Sequence, residues 1–344
     1  WASYKKNAVQ DLLAHNNNVF IYGLPAAKIV SADPLKIEID FKALDEFVVQ
    51  LKGWDVFLLM GGQPNMGVKR DDPAYIPRFR EYITQVFAHL ATHGIDEKHI
   101  ALYPHDEPGG HGWKTVKDYI AFGRVALKAY PGLQFYVNGG GGVPMMQALN
   151  EVASIWCNGI GDVASGMPGS VFQATTGKTR WSYDCGYGYA RPIGTNVKTI
   201  NVVGQFRMSA INAVGMGITG IGYWCYNHGA SMWGPIAEEY SLVYLNPDGT
   251  TTSSRRWEGV REGMEDARIL IALKAKLSDP SVSADAKAKI RHLLDVTIPS
   301  VTRQSIDGMV LGVARYVLDA TGNDASVAAL RREMMECVSA VSAK

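Results

Sequence analysis

The sequence predicts an α/β fold, a (β/α)8 TIM barrel of parallel strands and crossover helices followed by a C-terminal helical extension. Three observations carry this prediction. Short apolar runs alternate with longer segments of helical periodicity along most of the chain, the pattern of parallel strands joined by helices. The strand-like runs number about seven or eight, enough to close a barrel. The 344 residues, 47% of them hydrophobic, are sufficient for one barrel-sized core. An open doubly wound sheet is the competing arrangement.

An amphipathic helix around residues 4–15 leads into the strand Val19-Phe20-Ile21-Tyr22, stopped by Gly23 and Pro25. Residues 40–53 read as a helix, and residues 55–60 as an apolar strand ending in Gly61-Gly62-Gln63-Pro64. Phe79, Ile83, Val86, Phe87 and Leu90 recur at helical spacing within residues 75–93. Ile100-Ala101-Leu102-Tyr103 is the next strand, residues 116–130 the next helix, and residues 134–137 a strand that runs into Asn138 and four glycines. Shorter strands are expected at 154–157 and 180–183, then a helix at 197–214 and a strand at 220–226. Beyond Tyr226 the pattern turns helical, over residues 257–276, 284–294 and 327–343. The expected division is a barrel over residues 1–275 and a helical tail over residues 276–344 packed on it.

Charge and composition narrow the function. The net charge is +1, from 34 basic and 33 acidic residues, with no long basic run, so nothing favours a nucleic-acid partner. No apolar stretch reaches the length of about 20 residues that a membrane span needs. Cys157, Cys185, Cys225 and Cys337 have no metal-ligand spacing and read as buried small hydrophobes, though a Cys185–Cys225 bridge is open if both end neighbouring strands. The expected location is secreted or periplasmic, any signal having stood upstream of Trp1, with a cytoplasmic location as the alternative.

The chemistry concentrates at His105-Asp106-Glu107-Pro108, reached directly from the apolar strand 100–103. Like charges a few ångströms apart push one carboxyl pKa up, so that one can donate a proton while the other stays ionised. Glycosidic bond cleavage needs that division of labour. The bland reading is a helix cap or a salt-bridged turn. Residues at the other expected strand ends favour the chemical one: Tyr22, Gln63, Tyr136, Asn138, Trp181, Tyr183, Asp184, Trp224, Tyr226 and Asn227. Flat aromatics stack on a sugar ring while amides and carboxylates bind its hydroxyls, although single aromatics on strands are more often core. A metal site from His105, Asp106, Glu107 and His111 lacks a second ligand cluster at recognisable spacing, so neither metal nor cofactor is expected. Gly215-Met216-Gly217-Ile218-Thr219-Gly220 fits G-x-G-x-x-G but follows a helix and precedes a strand, the reverse of a dinucleotide site. The glycines after Asn138 lack the Lys-Ser/Thr of a phosphate loop.

These residues resemble glycoside hydrolase family 123, the β-N-acetylgalactosaminidases and their relatives. Asp106-Glu107 resembles the family's catalytic pair, and the more specific likeness lies near the C-terminus. Ser254-Arg255-Arg256-Trp257 and Arg261-Glu262-Gly263-Met264-Glu265-Asp266 resemble the family's S-x-R…R-E-G-I-E-D run, preceded by Leu242-Val243-Tyr244 and Pro247-Asp248-Gly249. Trp181-Ser182-Tyr183-Asp184-Cys185 and Gly222-Tyr223-Trp224-Cys225-Tyr226-Asn227 are similar to its late strands. The likeness spans roughly residues 4–275. It departs at Ala267-Arg268, where the family favours aromatic or acidic residues, and at Met208-Ser209-Ala210, which lacks a tryptophan expected near Arg207.

The resemblance implies a retaining, substrate-assisted glycosidase acting on terminal β-linked N-acetylhexosamine, with N-acetylgalactosamine as the expected sugar. Glu107 would be acid and then base, and Asp106 would orient the 2-acetamido group. Tyr22, Gln63, His105, Tyr136, Asn138, Trp181, Tyr183, Trp224, Tyr226 and Asn227 would contact an oligosaccharide or glycoconjugate. One alternative is a glycosidase of the same fold whose sugar lacks the acetamido group and whose nucleophile is Asp184, Glu238 or Glu239. The other is a carbohydrate-binding protein without catalysis.

Overall fold

The structure is a computed structural model that describes residues 2–139, 141–159, 174–184, 206–215, 217–227, 241–301, 304–310, 313–318 and 324–342. The chain forms two compact units, one centred on residues 17–158 and the other on residues 1–16 and 180–344. Helix α1 (Ala2–Ala14) opens the chain within the second of these.

The unit around residues 17–158 is built on parallel strands. β1 (Val19–Gly23) is followed by a hairpin of β2 (Ala27–Ala32) and β3 (Leu35–Ile39), which the sequence reading did not anticipate. Helix α2 (Lys42–Val48) then leads to β4 (Phe57–Gly61), α3 (Tyr75–Thr92) and β5 (Ile100–Tyr103). β4 lies between β1 and β5, parallel to both, with Tyr22 opposite Met60 and Gly61 opposite Tyr103. After α4 (Trp113–Ala129), β6 (Tyr136–Asn138) joins β5 through the bridge Leu102–Phe135, and β7 (Ile155–Gly159) pairs parallel to β6 across the short helix α5 (Val143–Leu149). Leu58, Leu59, Met60, Ile100, Ala101 and Leu102 are all buried, as strands covered by helices on one face and a core on the other must be. Phe79 of α3, Phe122 of α4 and Phe135 interlock edge to face, at 5.7 Å for Phe79–Phe122 and 6.1 Å for Phe122–Phe135.

The second unit contains the parallel strands β8 (Thr179–Asp184) and β9 (Gly220–Tyr223), with helix α6 (Met208–Gly215) between them. A hairpin of β10 (Val243–Leu245) and β11 (Thr251–Ser253) turns through Asn246-Pro247-Asp248-Gly249, with Gly249 at φ 82°. Helix α7 (Arg255–Lys276) starts at Ser254, whose hydroxyl accepts the Trp257 N–H at 3.2 Å. α8 (Ala284–His292) starts at Ser283 in the same way, and the last helix is α9 (Asp324–Ser342). Met208, Ile211, Leu270, Leu273, Ile290, Leu330 and Met334 join α6, α7, α8 and α9 in one apolar cluster. The C-terminal helices are therefore present as expected. Residues 276–344 also contain the antiparallel strands β12 (Gln304–Val310) and β13 (Val313–Leu318), where β-branched residues and Gly308 disfavour helix. Among the described residues the strands make parallel sheets but no closed ring, and no helix is long and apolar enough to cross a membrane.

The Arg261–Asp266 signature turns out to be packing. Glu262 and Asp266, four apart on α7, both hold Arg207, its Nη1 donating to Glu262 at 2.6 Å and its Nε to Asp266 at 2.8 Å. Gly263 lies between them, and a Cβ there would sit 2.4 Å from the Arg207 carbonyl oxygen. Asp266 is buried, and Arg331 of α9 approaches it at 3.5 Å. Gly263→Ala is expected to lower the unfolding free energy by about 1–3 kcal/mol, read from urea denaturation. An unchanged midpoint would show that α7 is not packed against the Arg207 backbone.

A second polar knot, built around the buried His15, ties α1 to α7. His15 Nδ1 lies 3.2 Å from Asp11 Oδ1, its Nε2 lies 3.4 Å from Glu258, and its ring stacks on Trp257 at 4.5 Å. Burial alone would push the His15 pKa down, but bonds to Asp11 and Glu258 outweigh it and raise the value. Burial likewise opposes ionisation of Asp11, yet bonds from His15, Tyr226 and Trp257 hold its pKa below the usual carboxylate range. A raised histidine binds its proton more tightly folded than unfolded. Its stabilisation is full below the unfolded value of about 6.5 and is lost as pH rises through the raised one. Stability of the wild-type chain should therefore fall from about pH 6 upward by more than that of His15→Gln. Parallel pH profiles in urea denaturation would count against this role for the ion pair.

Candidate active site

Asp106 and Glu107 stand just beyond the C-terminal end of β5, beside the C-terminal end of β6. In parallel α/β folds this end of the strands carries the chemistry. Asn138, the last residue of β6 and itself buried, joins them. Its Nδ2 donates to Asp106 Oδ1 at 2.6 Å, and its Oδ1 accepts the Glu107 backbone N–H at 2.8 Å. The Tyr103 hydroxyl also donates to Asp106 Oδ1. Both bonds fall on one carboxylate oxygen, Oδ1, of a residue that is otherwise exposed.

Glu107 has φ 37°, in the left-handed region that a residue with a side chain enters at a cost of about 1–3 kcal/mol. Its backbone is held there at both ends, by Asn138 on the N–H and by the His111 N–H, which donates to its carbonyl at 3.2 Å. Pro108, Gly109 and Gly110 carry the chain round this turn. Gly141, at φ 82°, lies so close that a Cβ on it would be 2.9 Å from the Gly109 Cα, so the loops after β5 and β6 meet backbone to backbone.

Tyr103 shapes the inner wall. Its ring meets the Tyr136 ring edge to face at 4.9 Å, and Tyr136 is buried. Burial, together with the Asp106 carboxylate beside it, raises the Tyr103 hydroxyl pKa far above the usual phenol value, so Tyr103 remains a donor to Asp106.

His105 and Gln63 belong to a neighbouring network. His105 Nε2 lies 2.8 Å from Asp118 Oδ2 of α4 and 2.8 Å from Gln63 Nε2, and Gln63 Nε2 donates to the same Asp118 oxygen at 3.3 Å. Arg70 donates to the other oxygen, Oδ1, and to the Asp118 carbonyl. Burial would raise the Asp118 pKa, but bonds from Arg70, His105 and Gln63 outweigh it and keep the carboxyl below its ordinary range. Asp118 and Arg70 escaped the sequence reading. They are 48 residues apart, and no local spacing joins them to each other or to His105. Beside this network lies a cleft of about 620 Å³ lined by Gln63, Asn65, Lys69, Arg70 and Tyr75.

The remaining expected contacts are distributed as follows. Tyr22 donates its hydroxyl to the Ala43 carbonyl at 2.6 Å and stacks on Phe47. Trp181, Tyr183, Trp224, Tyr226 and Asn227 belong to the other unit. The Trp181 ring lies over Gly220, where a Cβ would be 2.6 Å from it, and Tyr183 is opposite Gly222. Trp224 is exposed, Asn227 is partly buried, and the Tyr226 hydroxyl donates to Asp11 at 2.7 Å. The side chain of Asp184, and all of Glu238, Glu239 and Cys185, lie outside the described residues, as does any Cys185–Cys225 pairing.

No family model matches the sequence, and no curated protein matches it. In fold the chain is similar to a family 123 glycoside hydrolase from Clostridium perfringens, solved in a study of glycolipid glycan hydrolysis, at 11% identity and a TM-score of 0.58. That alignment takes in 98% of this chain and 64% of the other, so the chain spans just under two-thirds of its relative's length. Looser similarity extends to an endo-β-1,6-glucanase, at 12% identity and a TM-score of 0.43 over 76% of this chain and 69% of that one. It extends also to a β-D-glucuronidase from Dictyoglomus thermophilum, at 9% identity and a TM-score of 0.43 over 75% and 46%. The chain thus has the α/β fold of a family 123 glycoside hydrolase, matching in fold the family that its residues resemble.

Asn138→Ala would strand the Glu107 N–H and remove one donor to Asp106. The expected loss is about 1–3 kcal/mol of unfolding free energy by urea denaturation. A variant as stable as wild type would mean that the amide does not hold this turn.

Proposed function

We propose that the chain is a retaining, substrate-assisted glycoside hydrolase that removes terminal β-linked N-acetylhexosamine, N-acetylgalactosamine first. The observation that carries this reading is the Asp106-Glu107 pair itself. Two adjacent carboxylates stand at a strand end, one oriented by Tyr103 and Asn138, the other fixed through its backbone by Asn138 and the His111 N–H. The fold shared with a family 123 glycoside hydrolase supports it. We take the parallel strands as parts of an eight-stranded barrel, with residues 1–275 forming the barrel and residues 276–344 a tail on it.

Adjacency suits substrate assistance. An enzyme nucleophile and its acid face each other across the scissile bond, roughly 5–5.5 Å apart, whereas a residue that orients an acetamido group can neighbour the acid. In the first step the acetamido carbonyl oxygen attacks the anomeric carbon from the face opposite the leaving group. The glycosidic bond breaks, and Glu107 gives its proton to the departing oxygen. Asp106, its Oδ1 held by Tyr103 and Asn138, uses Oδ2 to accept the acetamido N–H and stabilise the positive charge of the cyclised intermediate. In the second step Glu107, now ionised, takes a proton from water as the water oxygen attacks the anomeric carbon. The ring opens with net retention, and Glu107 regains its proton.

Aryl β-N-acetylgalactosaminide should be hydrolysed and aryl β-galactoside or arabinoside should not. Glu107→Gln should abolish turnover of the first while leaving binding largely intact. Turnover confined to sugars without the acetamido group would overturn substrate assistance, and unchanged turnover in Glu107→Gln would overturn its role as acid.

A further inference from the structure

Outside the carboxylate site, three side chains on the helical face of the first unit aim their coordinating atoms at one point. Asp45 lies in the first turn of α2, His89 in the last turn of α3, and His93 directly after it. The two histidines are four residues apart, so their rings project from the same side of the helix. His89 Nε2 lies 2.5 Å from Asp45 Oδ1, and His93 Nε2 lies 3.1 Å from the same oxygen. All three donor atoms lie within 4.8 Å of one another. Phe41 stacks flat on His89, 3.8 Å between ring centres and 8° between planes, and so holds the imidazole in the orientation that points Nε2 at Asp45.

We propose that Asp45, His89 and His93 form a binding site for a first-row divalent transition metal, zinc above all, that clips α2 to α3. Two imidazole nitrogens and one carboxylate oxygen are the donor set of such ions, and two nitrogens disfavour calcium or magnesium. A pair of histidines at i and i+4 on a helix is a chelating spacing in its own right. Metal bonds of about 2.0–2.2 Å place neighbouring ligand atoms roughly 3–3.5 Å apart. The present separations reach that range with small side-chain rotations. The three side chains are only partly buried, between 25% and 43% exposed, which leaves room for water as the remaining ligand and a path for the ion. The same contacts describe a carboxylate hydrogen-bonded to two imidazoles, so the test has to separate metal affinity from that arrangement. None of the three residues belongs to the Asp106–Glu107 site.

The test is calorimetric titration of zinc chloride into the metal-free full chain, beside His93→Gln and Asp45→Asn. One saturable equivalent is expected in the wild type, with a metal-dependent rise in melting temperature, and each variant should weaken it at least about tenfold. A wild-type chain with no saturable equivalent, or variants that bind it unchanged, would overturn the site. Should a variant fail to fold, cobalt(II) added to the wild type reports directly by NMR. Paramagnetic shifts on the His89 and His93 imidazoles support the site, and shifts confined to other histidines refute it.

Discussion

Asn138 spans the gap between two neighbouring strand ends with one carboxamide, and the placement of both carboxylates depends on it. Its nitrogen fixes an Asp106 oxygen, and its oxygen holds the backbone of Glu107 in a left-handed conformation that a glutamate does not adopt without support. The parallel register brings this about: the Leu102–Phe135 bridge sets Tyr103 level with Tyr136, so β6 runs two residues further and brings Asn138 alongside the chain that leaves β5 toward Asp106 and Glu107. Asn138 has no freedom to do anything else. It is buried at the close of a three-residue strand, with the Gly139 N–H tied to the Cys157 carbonyl immediately after it. Tyr103 completes the arrangement from below, as a phenol kept protonated by its own burial and by the charge that it serves.

Carboxylates elsewhere in the chain do different work, and the contrast is informative. Glu262 and Asp266 are spent on Arg207, and Asp11 on His15, Tyr226 and Trp257, each with its charge answered inside the fold. Asp118 is likewise enclosed by Arg70, His105 and Gln63. Among the described residues Asp106 is oriented by two neutral donors, Tyr103 and Asn138, and is exposed. That difference in partners sets Asp106 apart from these enclosed carboxylates.

How much of this could be read from the sequence follows from how local each feature is. The strands at Val19, Phe57 and Ile100 and the helix across Phe79–Leu90 were legible because their apolar periodicity is self-contained. The acidic pair was legible because both residues are adjacent and follow a strand directly. The hairpins β2–β3, β10–β11 and β12–β13 were not, since short polar-alternating strands give a weaker signal than buried parallel ones. Helix α5 hid behind the glycines that precede it. Asp118 with His105, and Asp45 with His89, are pairings 13 and 44 residues apart that only tertiary folding creates. The Arg261–Asp266 run showed the converse. Its pattern was the most specific in the chain, yet what its residues do is pack one helix against the Arg207 backbone and hold the Arg207 side chain.

Glu107 as acid and Asp106 as the residue that orients the acetamido group form the central assignment, and a cyclised-intermediate mimic probes both at once. The decisive measurement is a crystal structure of the chain with N-acetylgalactosamine-thiazoline bound. The expected result places the thiazoline ring nitrogen within about 3 Å of Asp106 Oδ2, with the Glu107 carboxyl beside the anomeric carbon. A thiazoline bound with its nitrogen facing another group, or bound away from the ends of β5 and β6, would contradict the assignment.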